Sequence, residues 1–436
     1  MNLKSQFSSD FLKEFSRRGF FAQATHEKEL DELMAAQSIT AYIGFDCTAK
    51  SLHAGSLIQI MILRLLQKYG HKPLVLLGGG TTKIGDPSGK DEARQVLTSK
   101  KIDENLNGIR KCLEKFISFE GKNAAEMVNN DDWLSGLNYL EFLRDIGRHF
   151  SINRMLNFDS VKTRLEREQT LSFLEFNYMI LQAYDFYYLN KEKNCRLQIG
   201  GSDQWGNIVN GVELTRRIAV VSDSGSPYLG GSSHCEAKRS MTMGVNKETF
   251  GLTSPLLTTA DGKKMGKTSD GAVWLDSEML PVFDYFQYFR NTHDADVGKF
   301  LKLFTDLSLE EIAELEKLKD QEINKAKEIL AFEATKICHG FDAANQALQK
   351  AREIFVSKNS AAFEEKEIAL NSKLTDVIFE IGAAESKGAA KKLIEGKAVK
   401  INSEVISDIQ FIISEKTDFE LSVGKKKFFK ISMKNN

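Results

Sequence analysis

Residues 41–80 read AYIGFDCTAK SLHAGSLIQI MILRLLQKYG HKPLVLLGGG, and this stretch decides the fold. The apolar run Ala41 to Phe45 has the length of a buried strand. Leu57 to Lys68 carries apolar residues at Leu57, Ile60, Met61 and Leu65, the spacing of a largely buried helix. Gly70 and Pro73 stop that helix. Leu74 to Leu77 is a second short apolar run, closed by Gly78-Gly79-Gly80. Strand, helix and strand without a hairpin turn predict a parallel pair joined by a right-handed crossover. Further along, Phe173 to Tyr187 reads as a helix and Leu197-Gln-Ile-Gly-Gly as another short buried strand. The expected fold class is α/β, a doubly wound, Rossmann-like parallel sheet that binds its ligands at the carboxyl ends of the strands.

The 436 residues suffice for two or three domains at about 100–200 residues each. Hydrophobic residues make up 42% and charged residues 27%, which fits a packed core rather than a disordered chain. The formal net charge is −1, so any nucleic-acid surface must be local. Cys47, Cys112, Cys195, Cys235 and Cys338 are odd in number and widely spaced, with no Cys-x-x-Cys. That pattern fits a reducing compartment and argues against a disulfide framework or a structural zinc. His234-Cys235 and Cys338-His339 lack nearby partners, so no metal site is expected. Met1 to Ala24 carries Lys4, Asp10 and Glu14 with no uninterrupted apolar run, unlike a signal peptide. No run approaches the roughly 18 apolar residues of a membrane span. A cytoplasmic protein with no membrane association is expected.

Residues 222–233 are rich in Ser and Gly and read as a flexible surface loop. Pro281 to Ile354 is helical in pattern, with a capping box at Ser308-x-x-Glu311. Ser357 to Asn371 is polar and reads as a linker. The expected division is a Rossmann-like domain (1–260), a mobile-loop segment (261–280), a helical domain (281–356), a linker (357–371) and a small α+β domain (372–436). Segment 385–436 holds 11 Lys against 7 acids, most concentrated at Lys425-Lys426-Lys427-Phe428-Phe429-Lys430.

Three elements suit phosphate. Asp46-Cys-Thr-Ala-Lys-Ser-Leu-His53-Ala-Gly55-Ser56 joins a strand to a helix, where free N–H groups and the positive dipole end favour anions. A lone His at a helix start more often caps or faces solvent. Gly85-Asp86-Pro87-Ser88-Gly89-Lys90 is one residue short of a P-loop and continues with Asp91, so the P-loop reading is rejected. Asp261-Gly-Lys263-Lys264-Met265-Gly266-Lys267-Thr268 is a cationic glycine loop. Such a loop can neutralise charge on leaving pyrophosphate, although lysine runs are more commonly solvated turns.

Together, a His-x-Gly-x helix start and a later Lys-x-x-Lys-(Ser/Thr) loop resemble the two signature motifs of class I aminoacyl-tRNA synthetases. The first departs from His-Ile-Gly-His at Ala54 and Ser56, the second from Lys-Met-Ser-Lys-Ser at Gly266 and Thr268. Tyr42-Ile-Gly44-Phe-Asp46-x-Thr48, Tyr178-x-x-x-Gln182-Ala-Tyr-Asp185 and Gln198-Ile-Gly-Gly201-Ser-Asp203-Gln204-Trp-Gly narrow the resemblance to the bacterial tyrosyl-tRNA synthetases, over nearly the whole chain. The resemblance implies that Tyr42 and Asp185 bind the substrate phenol, and that Tyr178, Gln182 and Asp86 hold its ammonium group. It places Asp46, Asp203 and Gln204 around the substrate carboxyl and the adenylate ribose. Gly44, Gly55, Ser56 and Gly201 fall in the ATP site, with His53 and Thr48 at the pentacoordinate phosphate. Lys264, Lys267 and Thr268 match the loop that grips pyrophosphate, helped by Lys90 and Arg94. ATP with Mg2+ is the implied co-substrate, with no tightly bound cofactor. The implied partners are L-tyrosine, tRNA(Tyr) and a second copy of the chain in a homodimer.

The residues themselves agree with this picture. Tyr178, Gln182 and Asp185 stand at i, i+4 and i+7, on one helical face. An acid on an otherwise apolar stripe needs a partner, and a substrate phenol supplies one. Phenylalanine would leave that acceptor unpaired. Ser386-Lys-Gly-Ala-Ala-Lys-Lys-Leu-Ile-Glu-Gly396-Lys-Ala-Val-Lys-Ile-Asn402 reads as helix, stop and strand, and resembles the S-four-type RNA-binding module. Lys387, Lys391, Lys392 and Lys397 are its candidate phosphate contacts. A tryptophanyl relative, an RNA-binding protein without catalysis and a small-molecule nucleotidyl transferase are the competing readings.

Overall fold

The computed structural model of the chain describes residues 7–86, 97–223, 245–246, 248–260, 262, 265–268, 271–361, 363–402, 404–414, 417–424 and 427–433. The central sheet has six strands: β1 (Gln23–Ala24), β2 (Thr40–Asp46), β3 (Lys72–Gly78), β4 (Glu126–Asn129), β5 (Cys195–Gly201) and β6 (Phe250–Ser254). Their order is β1-β6-β5-β2-β3-β4. All neighbours run parallel except β1, which lies antiparallel to β6. From β2 the chain first winds outward through β3 and β4, then returns to lay β5 on the other side of β2. The strand order therefore reverses between β2 and β5, and a crevice opens at their carboxyl ends.

The helix Leu57–Lys68 buries eight side chains, from Leu57 and Ile58 to Leu65 and Leu66, and is apolar nearly all round. Such a helix belongs in a core. It ends where Gly70 takes a φ of 83°. The helix Phe173–Lys193 starts with a capping box in which Ser172 and Glu175 satisfy each other's backbone N–H groups. It runs past the expected Tyr187 to Lys193 and stops at Asn194 in the left-handed region. The last turn is charged and escapes a reading based on apolar spacing, yet lysines there complement the helix dipole.

Residues 1–347 form one compact unit. Its helical part comprises Val282–Arg290, Val297–Phe304, Leu309–Leu315 and Ile323–His339, bound by aromatic contacts such as Phe289 to Phe304 at 5.9 Å. The expected capping box at Ser308 and Glu311 is present. Arg18, buried after the helix Asp10–Arg17, donates to the carbonyls of Lys302, Thr305 and Leu307 at 2.9, 3.1 and 2.7 Å. A cation there meets the negative end of the helix Val297–Phe304. The short strands β7 (Lys267–Thr268) and β8 (Gly271–Ala272) pair antiparallel within the segment expected as a loop.

Residues 348–436 form the second unit. The stretch expected as a linker, 357–371, instead carries the end of the helix Phe341–Ala361 and the strand β9 (Phe363–Ile368). A strand of sequence FEEKEI lacks the apolar alternation that would reveal it. It is recruited by its partner in space. The other strands are β10 (Ser372–Lys373), β11 (Val399–Ile401), β12 (Glu404–Val405), β13 (Ile412–Ile413), β14 (Phe419–Val423) and β15 (Lys427–Met433). The main sheet has the order β12-β11-β14-β15-β9, and β10 pairs with β13 apart from it. β9 runs parallel to β15, with Ile431 opposite Lys366. The core joins this sheet to the helices Leu374–Glu380 and Lys387–Glu395 through Val377, Ile378, Ile394, Leu421 and Ile431.

Candidate active site

A cleft of about 530 Å³ opens at the crevice between β2 and β5. Every described residue assigned from the sequence to tyrosine, and each so assigned to ATP with a described side chain, lines it. Tyr42, Gly44 and Asp46 come from β2, and Thr48, His53, Gly55 and Ser56 from the connection that follows. Tyr178, Gln182 and Asp185 come from the 173–193 helix, and Gly201, Asp203 and Gln204 from the end of β5. Asp86 completes the wall. Lys90, Arg94 and Lys264 lie outside the described residues, and Lys267 and Thr268 are described by their backbone in β7. Of the Ser- and Gly-rich loop expected at 222–233, Ser222 and Asp223 instead end the helix Trp205–Asp223, and 224–233 lie outside the described residues.

Asp185 is fully buried at the inner end of the cleft. Asn130 Nδ2 donates to its Oδ2 at 2.9 Å and Trp133 Nε1 to its Oδ1 at 2.8 Å. Burial pushes its pKa up to about 7, against the pull of those two donors. Tyr42, 2% exposed, presents a buried hydroxyl with no hydrogen-bond partner. Burial first, and the Asp185 charge second, hold this phenol neutral well above its ordinary range. A buried hydroxyl without a partner calls for a ligand or a water. Sequence reasoning missed Asn130 and Trp133. Both follow the carboxyl end of β4, which is the signal that could have found them.

Midway along the cleft, Asp46 Oδ1 accepts from Tyr178 OH at 3.2 Å and from Thr81 Oγ1 at 3.3 Å. Gln204 Nε2 donates to Asp86 Oδ2 at 2.8 Å. Asn207, also missed from the sequence, donates to Gln182 Oε1 at 2.9 Å and to Gln204 Oε1 at 3.2 Å. The polar side chains at this level are thus fixed by one another before any ligand arrives.

At the outer level, Gly55 N–H donates to His53 Nδ1 at 3.0 Å. The neutral imidazole then carries its proton on Nε2, the nitrogen left to act as donor. Ala54 N–H donates to the Val273 carbonyl at 2.7 Å, and Val273 N–H to the Gly266 carbonyl at 3.0 Å, so the two sequence motifs meet. Gly266 has a φ of 90°, and a Cβ there would fall on the Gly55 nitrogen. Glycine at this departure from the Ser of the signature motif is what lets the two backbones touch.

In the second unit, Lys387, Lys391, Lys392 and Lys397 are all exposed. Lys387 Nζ pairs with Asp376 Oδ1 at 2.9 Å, an exposed bridge that a stronger anion can displace.

The chain matches the family described as tRNA synthetases class I (W and Y) over residues 34–356 and the S4 domain over residues 373–418. It is 54% identical to a protein named tyrosine–tRNA ligase of Wolbachia pipientis subsp. Culex pipiens (strain wPip), with 97% of each chain covered. It is 52% identical to the protein of the same name in Ehrlichia ruminantium (strain Welgevonden), covering 99% of this chain and 100% of that one. Among solved structures it resembles a C-terminally truncated mitochondrial tyrosyl-tRNA synthetase of Aspergillus nidulans. The TM-score is 0.68 at 30% identity, with 79% of this chain and 94% of that chain covered.

Proposed function

Since the chain belongs to the class I tRNA synthetases for tryptophan and tyrosine and is a tyrosine–tRNA ligase, we propose that the cleft between β2 and β5 houses both half-reactions. The observation that carries this reading is the pair at its inner end: a buried carboxyl beside a buried phenol without a partner. A substrate phenol answers both, donating to Asp185 and accepting from Tyr42. An indole N–H can only donate and would leave Tyr42 unpaired, which favours tyrosine over tryptophan.

Tyr178, Gln182 and Asp86 hold the ammonium group, and Gln204 orients the carboxylate. The carboxylate oxygen attacks the α-phosphorus of ATP, forming the acyl–phosphate bond as the bond to pyrophosphate breaks. His53, through Nε2–H, and Thr48 stabilise the five-coordinate phosphorus. Asp46 and Asp203 hold the ribose, while Gly44, Gly55, Ser56 and Gly201 allow close approach of the nucleotide. Lys264, Lys267, Thr268, Lys90 and Arg94 take up the charge of pyrophosphate. Magnesium would enter as part of the ATP substrate and would screen its triphosphate charge. A 3′-terminal ribose hydroxyl of tRNA(Tyr) then attacks the carbonyl carbon and AMP leaves. Lys387, Lys391, Lys392 and Lys397 bind phosphates of that tRNA. The four described cysteines are free and buried, which suits a reducing cytoplasm. No helix among the described residues is long and apolar enough to cross a membrane.

The deciding experiment is amino-acid-dependent exchange of pyrophosphate into ATP, with tyrosine, tryptophan and phenylalanine supplied separately. Exchange with tyrosine alone is expected, and exchange with none of them would overturn the reading. We further propose a homodimer. Tyr139, Leu140, Ile152 and Phe173, between β4 and β5, are 60%, 74%, 64% and 70% exposed, which suits a covered surface in an assembly. Sedimentation equilibrium is expected to give twice the chain mass, and Leu140→Asp with Ile152→Asp to give monomers. A wild-type monomer at micromolar concentration would refute the assembly.

A further inference from the structure

The stem of the second-motif loop is held from the helical region at three points. Ala260 N–H donates to Asp296 Oδ2 at 2.7 Å, Lys299 Nζ to the Thr258 carbonyl at 3.2 Å, and Gly266 N–H to the Tyr288 hydroxyl at 3.3 Å. Tyr288 stands on the helix Val282–Arg290, and Asp296 immediately precedes the helix Val297–Phe304. Asp296 is buried, whereas Lys299 is exposed and contributes less. Met265 N–H closes the stem onto the Leu257 carbonyl at 3.1 Å.

The far side of the same stem presses on the first motif. A Cβ on Gly266 would come within 2.9 Å of His53 Nδ1, and Val273, which donates to the Gly266 carbonyl, accepts from Ala54 N–H, so a shift of the stem is passed to the His53–Ser56 helix start. Neither Tyr288 nor Asp296 lines the cleft. Their reach toward the chemistry is through the backbone of Ala260 and Gly266.

We propose that Tyr288 and Asp296 are positioning residues for the ATP half of the reaction. They fix the loop stem against the phosphate-handling helix start and leave the tyrosine end of the cleft untouched. A group a fraction of an ångström out of place costs rate rather than ground-state affinity at a distant subsite. The proposal rests on the tyrosine-activation reading above.

Tyr288→Phe keeps the ring and removes the accepting oxygen. The test measures kcat and the KM for ATP in pyrophosphate exchange, and tyrosine affinity separately by equilibrium binding without ATP. The full-length wild type is the reference. A neutral hydrogen bond of this kind corresponds to a factor of roughly five to ten. A loss of about that size in kcat/KM for ATP is expected, with tyrosine affinity unchanged. Asp296→Ala is expected to repeat the pattern, and Asp296→Asn, which keeps an accepting oxygen, to restore most of the rate. Two results would overturn the proposal alone: exchange by Tyr288→Phe equal to the wild type, or tyrosine affinity falling by the same factor as the ATP term. No tyrosine-dependent exchange in the wild type would overturn the function itself and the proposal with it.

Discussion

Asp185 faces a conflict that sets the pH behaviour of the pocket. Its carboxyl is pushed up to about 7 by burial, while Asn130 and Trp133 favour the ionised form. For stability, a raised carboxyl pKa means that the folded state prefers the proton. That contribution is complete below about pH 4 and is lost as pH rises through about 7. Tyrosine binding runs the other way, because the carboxylate is the better acceptor for the substrate phenol. The dissociation constant for tyrosine is therefore expected to rise as pH falls from 8 to 6, with a midpoint near 7. Asp185→Asn should bind more weakly and show no such midpoint. A wild-type affinity that stays flat over this window would remove Asp185 from the phenol site. The sequence singled out Asp185 because an acid on an apolar helix face is conspicuous. Asn130, Trp133 and Asn207 were not legible, since each acts on a partner that only the folded chain brings near: Asn130 and Trp133 lie 55 and 52 residues from Asp185.

The helix Phe173–Lys193 shows how one element's ends govern a site in its middle. It presents Tyr178, Gln182 and Asp185 to the cleft, and its first turn is fixed by Ser172, Glu175 and the buried guanidinium of Arg164, 2.8 Å from Glu175 Oε1. Ser172→Ala removes the cap and is expected to cost about 1 kcal/mol in chemical denaturation. It should also raise the KM for tyrosine a few-fold and move the KM for ATP less, because the helix reaches the nucleotide side only through the Tyr178–Asp46 hydrogen bond. Equal changes in both constants would show that the helix end does not set the pocket. Elements of this kind were readable where burial demands a continuous apolar stretch, as in β2, β3 and the 57–68 helix. β9 was not, because every residue between Phe363 and Ile368 is charged and its place is dictated by β15.

At the scale of the whole molecule, the activation chemistry and the basic module fall in separate compact units. A chain ending at Ala361 is expected to keep tyrosine-dependent pyrophosphate exchange and to lose most of its charging of tRNA. A chain ending at Asn371 should match it in both assays but scatter more light on storage. It would retain β9 stripped of β15, and an unpaired strand edge invites association. Full charging by either truncated chain would sink the RNA-binding role of the second unit.

The pairing of β9 with β15 also imposes an order in time. The first strand of the second unit must wait for β15, so its five-stranded sheet stays two strands short until β15 has left the ribosome. The first unit, complete at Ala347, is free to fold while the rest is still being made. A nascent chain would thus acquire its activation site before its means of gripping RNA. A message truncated near its 3′ end would yield a protein that consumes ATP and tyrosine without delivering them.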